Sequence, residues 1–384
     1  FSFRATNTDE GFADLLADEA DLVMARREIR PGEQLRAREA GMGDMRGINR
    51  SRVLALDAIV PIVAPSNPVL GISPASLALV YAGRITNWSE LGGVNAPITV
   101  HAPLAGTGFG QAISNKINDP AGLPVSPDII RHDRGAEVSQ AVSDDSFALG
   151  IASFAEIGNT RALTLVGECN RPLNATRRSI KTEDYPLTAP LLIYQPARRL
   201  PKIAREFLIY TRGPAAQIVI RRTGFTDQAP EEISVDQQGN RLANAIGTVG
   251  PDASLKELKR MTATLTSMKR LTTSFRFEAG STDLDAQSRS NVEQIAHWLE
   301  QGRYDARRLL FVGFSDADGA AETNSDIALL RAEVIRTAVR EAAETADLDR
   351  VSLDVDAFGE SMPMACDDST WGRQVNRRVE VWIR

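Results

Sequence analysis

The sequence predicts two consecutive domains, an α/β domain followed by a smaller α+β sandwich. The chain has 384 residues, well above the roughly 150 residues of a typical single domain. Short apolar runs alternate with helix-like stretches over residues 1–228, which indicates strands interleaved with helices. From about residue 271 to residue 384 the order becomes β-α-β-α-β-β, and the polar stretch with one helix at 229–270 predicts a linker.

Local patterns place the elements of the first domain in order. Arg52–Ala64 is a strand-rich apolar run, and Ser73 and Pro74 supply the N-cap and first position of a helix. The other predicted strands are Asp21–Met24, Ile98–His101 and Leu191–Tyr194. The other predicted helices are the stretch around residues 12–16, Gln111–Ile117, Ile203–Tyr210 and Ala215–Arg222.

The linker and the second domain show clearer periodicity. Apolar residues at helical spacing predict a helix at Ser254–Met268, and alternation along Val351–Phe358 is typical of a half-buried strand. The other predicted strands are Thr273–Phe277, Leu309–Phe314 and Arg378–Ile383, and the other predicted helices are Asp285–Gln301 and Ser325–Ala343.

Composition excludes several classes of function. Hydrophobic residues make up 43% and charged residues 24% of the chain, as in globular proteins, and no apolar run approaches the roughly 18 residues of a spanning helix. A net charge of -6 argues against a nucleic-acid partner. Two cysteines and three histidines leave little room for a zinc site. Because no nucleophile–base motif is visible, we expect no catalytic residue, no cofactor, no metal and no enzymatic activity.

A candidate ligand site lies near the end of the strand Leu309–Phe314. Asp316 follows this strand, and Arg331 lies in the next predicted helix. A carboxylate and a guanidinium that converge there would suit the ammonium and carboxylate of an amino-acid zwitterion. The alternative is that Asp316 and Arg331 simply pair with each other as a structural ion pair.

Several motifs follow one another along the second domain: Phe275-Arg276-Phe277, Gly313-Phe314-Ser315-Asp316, Asn324 with Arg331-Ala332, Phe358-Gly359-Glu360, and Asn376-Arg377-Arg378-Val379-Glu380. Together they resemble the OmpA-like peptidoglycan-binding domain. The resemblance implies that Asp316 binds the ammonium and Arg331 the carboxylate of diaminopimelate in the peptidoglycan stem peptide. It places Asn324 and Arg377 beside the pocket. Ser315 keeps a hydroxyl there, where the family's His-Thr is replaced by Phe314 and Ser315.

The first domain offers a weaker candidate site for an anion. Thr6 and Thr8 lie in a hydroxyl-rich turn before a helix, Gly106 and Thr107 lie in a Gly-rich loop before another, and Arg26 follows a strand. Helix N-termini of this kind attract anions because their N–H groups lack partners. The alternative is that these are ordinary turn and cap residues.

The first domain contains the run Gly83-Arg84-Ile85-Thr86-Asn87-Trp88-Ser89-Glu90-Leu91-Gly92-Gly93. This run carries much of a resemblance to the phosphate-binding-protein family, which has the two-lobed type II periplasmic-binding-protein fold. Arg26 stands where the family has an Asp, and His101 stands where it has an Arg. We therefore expect the family's fold, starting at its second strand, with Arg26 and Thr107 holding another small anion, or an adaptor that binds none.

Both resemblances indicate a periplasmic, cell-wall-associated protein of the cell envelope. The main hypothesis is a non-enzymatic peptidoglycan-binding protein, with an outer-membrane tether or an envelope protein partner as open possibilities. The alternative is an ABC-importer-type receptor for phosphate or another small anion. An oxidising periplasm would permit a disulfide, but Cys169 and Cys366 fall in different predicted domains, which leaves their pairing open.

Overall fold

The computed structural model describes residues 2–47, 49–239, 241–247, 255–277 and 279–384, and the chain divides into two compact units. The first unit comprises Phe1–Val166, Pro172–Ile180 and Leu187–Ala229. The second unit comprises Gly167–Arg171, Lys181–Pro186 and Pro230–Arg384. The chain therefore leaves the first unit twice, for two short segments that belong to the second. No helix in the described ranges is long and apolar enough to cross a membrane.

The first unit contains a seven-stranded mixed sheet. The strands of this sheet are β1 (Val23–Ala25), β2 (Ser51–Val63), β4 (Thr99–Pro103), β5 (Ile130–His132), β6 (Ala148–Ser153), β7 (Arg161–Ala162) and β9 (Thr188–Tyr194). Two short strands, β3 (Gly71–Ile72) and β8 (Thr164–Leu165), form a separate parallel pair. The order in the sheet is β1-β9-β2-β6-β4-β5, with β7 also paired to β2. β2 pairs antiparallel with β9 and β6, whereas β4 runs parallel to β6 and β5.

The helices of the first unit begin where the sequence supplies caps. Ser73 accepts a hydrogen bond from the Ser76 amide, and Thr107 accepts one from the Gly110 amide. The helices are α1 (Thr8–Leu16), α2 (Pro31–Glu39), α3 (Pro74–Tyr81), α4 (Gly108–Ile113), α5 (Asp119–Ala121), α6 (Gly135–Asp144), α7 (Arg177–Lys181), α8 (Lys202–Tyr210) and α9 (Pro214–Arg222). A π-helical turn at Ser114–Asn118 joins α4 to α5.

The second unit is a five-stranded sheet with helices on both faces. Its strands are β10 (Glu232–Ile233), β11 (Lys269–Arg276), β12 (Arg308–Phe314), β13 (Ser352–Ala357) and β14 (Arg378–Ile383). Its helices are α10 (Arg241–Gly247), α11 (Leu255–Leu265), α12 (Ala286–Glu300), α13 (Ala321–Ala342) and α14 (Thr370–Asn376). The order is β10-β11-β14-β12-β13, and only β12 and β13 are parallel among these described strands. The short helix α14 is an addition to the predicted order of elements.

The two faces of this sheet carry separate apolar cores. Leu309 of β12 belongs to the same buried cluster as Ile295 of α12 and Ile335 of α13. Its neighbour Leu310 belongs to the other cluster, with Met261 of α11. Successive side chains of a strand point to opposite faces of the sheet, so one strand contributes side chains to both cores. The helix expected in the linker thus covers one face of the sheet; its predicted first residue, Ser254, lies outside the described residues.

A buried carboxylate from an earlier part of the chain balances arginines of this sheet. Asp184 lies in the segment Lys181–Pro186, and its carboxylate accepts hydrogen bonds from Arg270 at 2.7 and 3.0 Å and from Arg276 at 2.9 Å. Burial alone would raise the pKa of Asp184, but the charge and hydrogen bonds of Arg270 hold it well below its usual range. Asp184 therefore stays ionised in the interior.

A disulfide joins the segment Gly167–Arg171 to the rest of the second unit. Cys169 and Cys366 are bonded, with their Cα atoms 5.6 Å apart, within the usual range for a disulfide. The sequence alone placed the two cysteines in different domains and left their pairing open. They meet because the segment Gly167–Arg171 leaves the first unit and packs within the second.

Replacing Asp184 with Asn is expected to lower the free energy of unfolding by about 3–5 kcal/mol, because Arg270 and Arg276 would keep buried charges without this carboxylate. Urea unfolding followed by tryptophan fluorescence measures the change. Asp354→Asn is the control, since Asp354 pairs with Arg308 at the surface and should cost less than about 1 kcal/mol. Equal losses for the two variants would contradict the expectation.

Candidate functional site

The position of the C-terminal site follows from a close contact between α13 and β12. A Cβ atom on Gly313 would lie only 1.9 Å from the carbonyl oxygen of Ala328, so no side chain fits there. This contact brings the helix against the strand along its last residues. Asp316 follows the strand, and Asn324 and Arg331 lie on the helix, so they are held at the same end of the sheet.

Asp316 forms a buried ion pair with Arg377. Arg377 donates from Nη1 to Asp316 Oδ2 at 2.5 Å and from Nε to the Phe277 carbonyl at 3.2 Å. Both side chains are largely buried. Among the described residues, no group donates a hydrogen bond to Asp316 Oδ1, so one carboxylate oxygen keeps its acceptor capacity. The sequence analysis weighed a structural ion pair of Asp316 with Arg331, whereas the structure pairs Asp316 with Arg377.

Arg331 lies beside this pair and is 2% exposed. Its Nε donates to the Ser281 carbonyl at 3.2 Å, and its guanidinium lies 5.1 Å from the centre of the Phe277 ring. Burial and then the charge of Arg377 lower the pKa of Arg331 to about 10, while Asp316 opposes the shift. Arg331 is therefore charged at neutral pH, in a position where a second negative group would be favoured.

Two buried polar groups on the segments that carry Asp316 and Arg331 lack partners among the described residues. They are the Ser315 hydroxyl and the Asn324 side-chain NH2 group. The Ser315 backbone amide is bonded to the Gly359 carbonyl at 2.9 Å, so this segment is fixed. An unsatisfied buried polar group costs free energy, which a ligand with a matching group could recover.

The structure adds Asp367 to the residues that the sequence singled out. Asp367 lies before α14 and accepts hydrogen bonds from the Ala317 amide at 3.3 Å and from Asn376 Nδ2 at 2.9 Å. Burial and, among the charges, that of Asp316 raise the pKa of Asp367. The only sequence signal was the acidic pair Asp367-Asp368 after Cys366, a pattern that is common on protein surfaces.

In the first unit, the predicted anion ligand Arg26 already has a buried partner. Its guanidinium bonds to Asp57 of β2 and lies 4.4 Å from the centre of the Phe109 ring. Asp57 is fully buried and also accepts a hydrogen bond from the Ser153 hydroxyl at 2.7 Å. The sequence signal for Asp57 is that it is a single acid in an apolar strand.

The structure brings part of the predicted anion site together. Thr8 Oγ1 accepts a hydrogen bond from the Arg26 amide at 3.4 Å, and a Cβ atom on Gly108 would lie 2.9 Å from the same hydroxyl. Thr107 caps α4 by accepting a hydrogen bond from the Gly110 amide at 3.0 Å, and its hydroxyl donates to the Leu104 carbonyl at 2.7 Å. The Thr107 contacts fit the ordinary cap role weighed from the sequence.

Three further predicted residues make no shared contact with Arg26 among the described residues. Thr6 donates to the carbonyl of its neighbour Asn7, and Gly106 is exposed. His101 Nδ1 lies 3.0 Å from His132 Nε2, so the two imidazoles form a pair. Burial and His132 lower the pKa of His101, while Asp145 opposes the shift. No group of three potential metal ligands occurs within the described parts of the chain.

Comparisons with known proteins agree with both resemblances. Residues 1–215 match the PBP superfamily domain, and residues 276–377 match the OmpA family. Protein SphX of Synechococcus elongatus is 27% identical over 266 residues, which cover 65% of this chain and 75% of that protein. The phosphate-binding protein PstS of Bacillus subtilis is 23% identical over 48% of this chain and 60% of its own length.

A similar solved structure is an ABC-type phosphate transport receptor from Vibrio cholerae. It is 21% identical, has a TM-score of 0.47, and the alignment covers 57% of this chain and 84% of that one. The predicted fold class is confirmed by the family matches: a type II solute-binding-like domain followed by an OmpA-like α+β domain.

The protein is expected to lose stability as the pH falls from about 7 to 5, because the unfolded His101 takes up a proton near pH 6.5 before the folded one does. The pKa of His101 is lower in the folded protein than in the unfolded chain. Neutral His101 therefore contributes its full stabilisation above the unfolded-state pKa, and this stabilisation is lost as the pH falls through the folded-state pKa. His101→Gln should reduce this loss, measured as the difference between the free energies of urea unfolding at pH 7 and at pH 5.

The exposed His297 provides the control for this pH dependence. His297→Gln should keep the wild-type pH profile. If His101→Gln also keeps it, burial of the His101–His132 pair does not contribute to the acid sensitivity.

Proposed function

The chain belongs to the PBP superfamily through residues 1–215 and carries an OmpA family domain at residues 276–377, and from this membership we propose that it is a non-enzymatic cell-envelope protein that binds peptidoglycan. The C-terminal pocket binds diaminopimelate of the stem peptide. The single observation that carries the proposal is the buried Asp316 carboxylate with two guanidinium groups beside it, those of Arg377 and Arg331.

The charges of the pocket suit a zwitterion. Asp316 Oδ1 is available for an ammonium group, while Oδ2 remains fixed by Arg377. Arg331 presents a guanidinium that is close enough to Arg377 to feel its repulsion. A bound carboxylate would relieve that repulsion, and guanidinium–carboxylate pairing is geometrically specific. The ammonium and the carboxylate at the side-chain end of diaminopimelate supply both groups.

Neutral polar groups extend the pocket beyond its charges. The Ser315 hydroxyl can donate or accept a hydrogen bond, and the Asn324 amide can donate. Both are buried and lack partners among the described residues, so a ligand group that reaches them gains more than an exposed contact would give. We propose that the Ser315 hydroxyl and the Asn324 amide form hydrogen bonds with the stem-peptide atoms beside the zwitterion.

An anion receptor of the ABC-importer type is the second candidate function. The contact of Thr8 with Arg26 and Gly108 favours it, as do the phosphate proteins among the relatives. The bond between Arg26 and Asp57 acts against it, because a phosphate would have to share a guanidinium already balanced by a buried carboxylate. We therefore propose that the first domain binds phosphate weakly, and that wall binding is the main function.

The proposed location is the periplasm, with the second domain on the cell wall. Solute-binding and OmpA domains both act in the envelope, and a disulfide is stable in an oxidising compartment. A tether to the outer membrane or an envelope protein partner is compatible with this location and remains part of the proposal.

Asp316→Asn and Arg331→Ala are each expected to weaken binding to diaminopimelate-type peptidoglycan by about ten-fold or more, because each removes a charge-assisted hydrogen bond to the ligand. Sedimentation with purified sacculi measures the bound fraction. Peptidoglycan with lysine in place of diaminopimelate lacks the carboxylate for Arg331, so wild type should pellet less with it.

Two exposed residues serve as matched controls for the pocket residues. Asp318 lies, like Asp316, between β12 and α13, and Arg340 lies, like Arg331, on α13. Asp318→Asn and Arg340→Ala should pellet like wild type. The site assignment is wrong if the pocket variants, shown to be folded by circular dichroism, also pellet like wild type.

For phosphate, titration calorimetry is expected to give weak binding to wild type and binding about ten-fold tighter to Asp57→Asn, because Arg26 loses its competing carboxylate. Asp57→Asn should also lower the free energy of unfolding by about 1–3 kcal/mol, since a buried bond network is disturbed. Asp14→Asn, which alters a surface pair with Arg4, should change neither. Micromolar binding that survives Arg26→Ala would exclude Arg26 as the ligand.

A further inference from the structure

The segment Gly167–Arg171 is fixed to a loop at residues 363–369 of the second unit. Besides the disulfide between Cys169 and Cys366, the Glu168 amide donates to Asp368 Oδ2 at 2.5 Å. Arg171 donates from Nη1 to the Pro363 carbonyl at 2.6 Å. The segment thus contacts the beginning, the middle and the end of the loop.

The fit between the segment and the loop leaves no spare volume at Gly167. A Cβ atom on Gly167 would lie 2.7 Å from both Asp368 Oδ2 and Cys366 Cβ, closer than real Cβ contacts occur. Any larger residue would therefore push the loop away from the segment. The loop therefore meets the segment through this close contact as well as through the covalent bond.

The same loop borders the proposed peptidoglycan pocket. Asp367, next to Cys366, accepts a hydrogen bond from the Ala317 amide at 3.3 Å, and Ala317 follows Asp316 directly. Asp367 also accepts one from Asn376 Nδ2 at 2.9 Å, and Asn376 precedes Arg377, the partner of Asp316. A displacement of the loop would reach both members of the pair through these two bonds.

We propose that the Cys169–Cys366 disulfide positions the loop 363–369 for peptidoglycan binding, and that reduction of the disulfide weakens this binding. The proposal rests on the proposed function of the pocket. Cys169 and Cys366 are positioning residues, since they act through Asp367 and Asn376 on Asp316 and Arg377 without touching the ligand.

The Cys169–Cys366 disulfide is reduced by ordinary thiol–disulfide exchange. Cys169 is exposed whereas Cys366 is buried, so an external dithiol attacks on the Cys169 side. Its first thiolate breaks the S–S bond and releases the Cys366 thiolate, which takes up a proton. Its second thiolate then displaces Cys169 as a thiolate, which is also protonated, and the dithiol leaves as a cyclic disulfide after giving up two electrons.

A competing arrangement is that Asn376 holds the loop without help. Asn376 Oδ1 accepts hydrogen bonds from the Met364 amide at 2.7 Å and the Ala365 amide at 3.0 Å, and its Nδ2 donates to the Ala365 carbonyl at 2.9 Å. If these bonds suffice, the disulfide has no effect on the pocket. The two arrangements differ in what reduction does to binding.

The test compares the oxidised and dithiothreitol-reduced full chain in sedimentation with diaminopimelate-type peptidoglycan. Reduction is expected to weaken binding about five- to ten-fold, because the binding groups lose their preorganised positions. Cys169→Ser/Cys366→Ser should bind like the reduced protein and should not respond to dithiothreitol. Circular dichroism of each sample establishes that the fold persists.

Gly167→Ala tests the same coupling with the disulfide intact, so it remains informative if the double serine variant fails to fold. It should weaken binding, whereas Gly32→Ala, at an exposed glycine with free space around it, should not. Unchanged binding after reduction and in Gly167→Ala overturns the proposal while leaving the proposed function intact. Failure of the oxidised wild type to pellet overturns the proposed function itself.

Discussion

Buried positive charge is the constraint on which the second unit depends. Strands β11 and β14 carry Arg270, Arg276 and Arg378 into the interior. A buried guanidinium is costly unless carboxylates balance it with good hydrogen bonds. Glu380 supplies one carboxylate from the sheet itself, where burial would raise its pKa but the surrounding arginines lower it to about 2. Asp184 supplies the other, so the sheet needs chain from before residue 187 to be balanced.

The same constraint explains why the two candidate sites have different prospects as binding sites. In the first unit, Arg26 meets the fully buried Asp57, and one charge cancels the other. In the second unit, Arg331 lies near a second guanidinium, that of Arg377, and near the Asp316 carboxylate, which Arg377 already pairs. A bound carboxylate would add charge to a balanced pair in the first case and would relieve repulsion in the second.

The sequence predicted most elements because they leave local signals. Helical and strand periodicity located α11, α13 and β2 within a few residues. Motif spacing supplied the proposal that Asp316 and Arg331 form the C-terminal site. The sequence named Arg331 in the alternative of an ion pair with Asp316 and missed Arg377, because spacing along the chain does not give side-chain distances. Contacts between distant segments leave no local pattern at all.

Asp184 and Cys169 show what this limitation means for domain boundaries. Both lie within residues 1–215, which match one family as a continuous stretch, yet both belong by their contacts to the second unit. Sequence similarity follows the order of the chain, whereas a folded unit is defined by which groups are buried together. A fragment that begins after residue 186 would keep Arg270 and Cys366 and lose a partner of each. The physical boundary of the OmpA-like unit is therefore not a single point in the sequence.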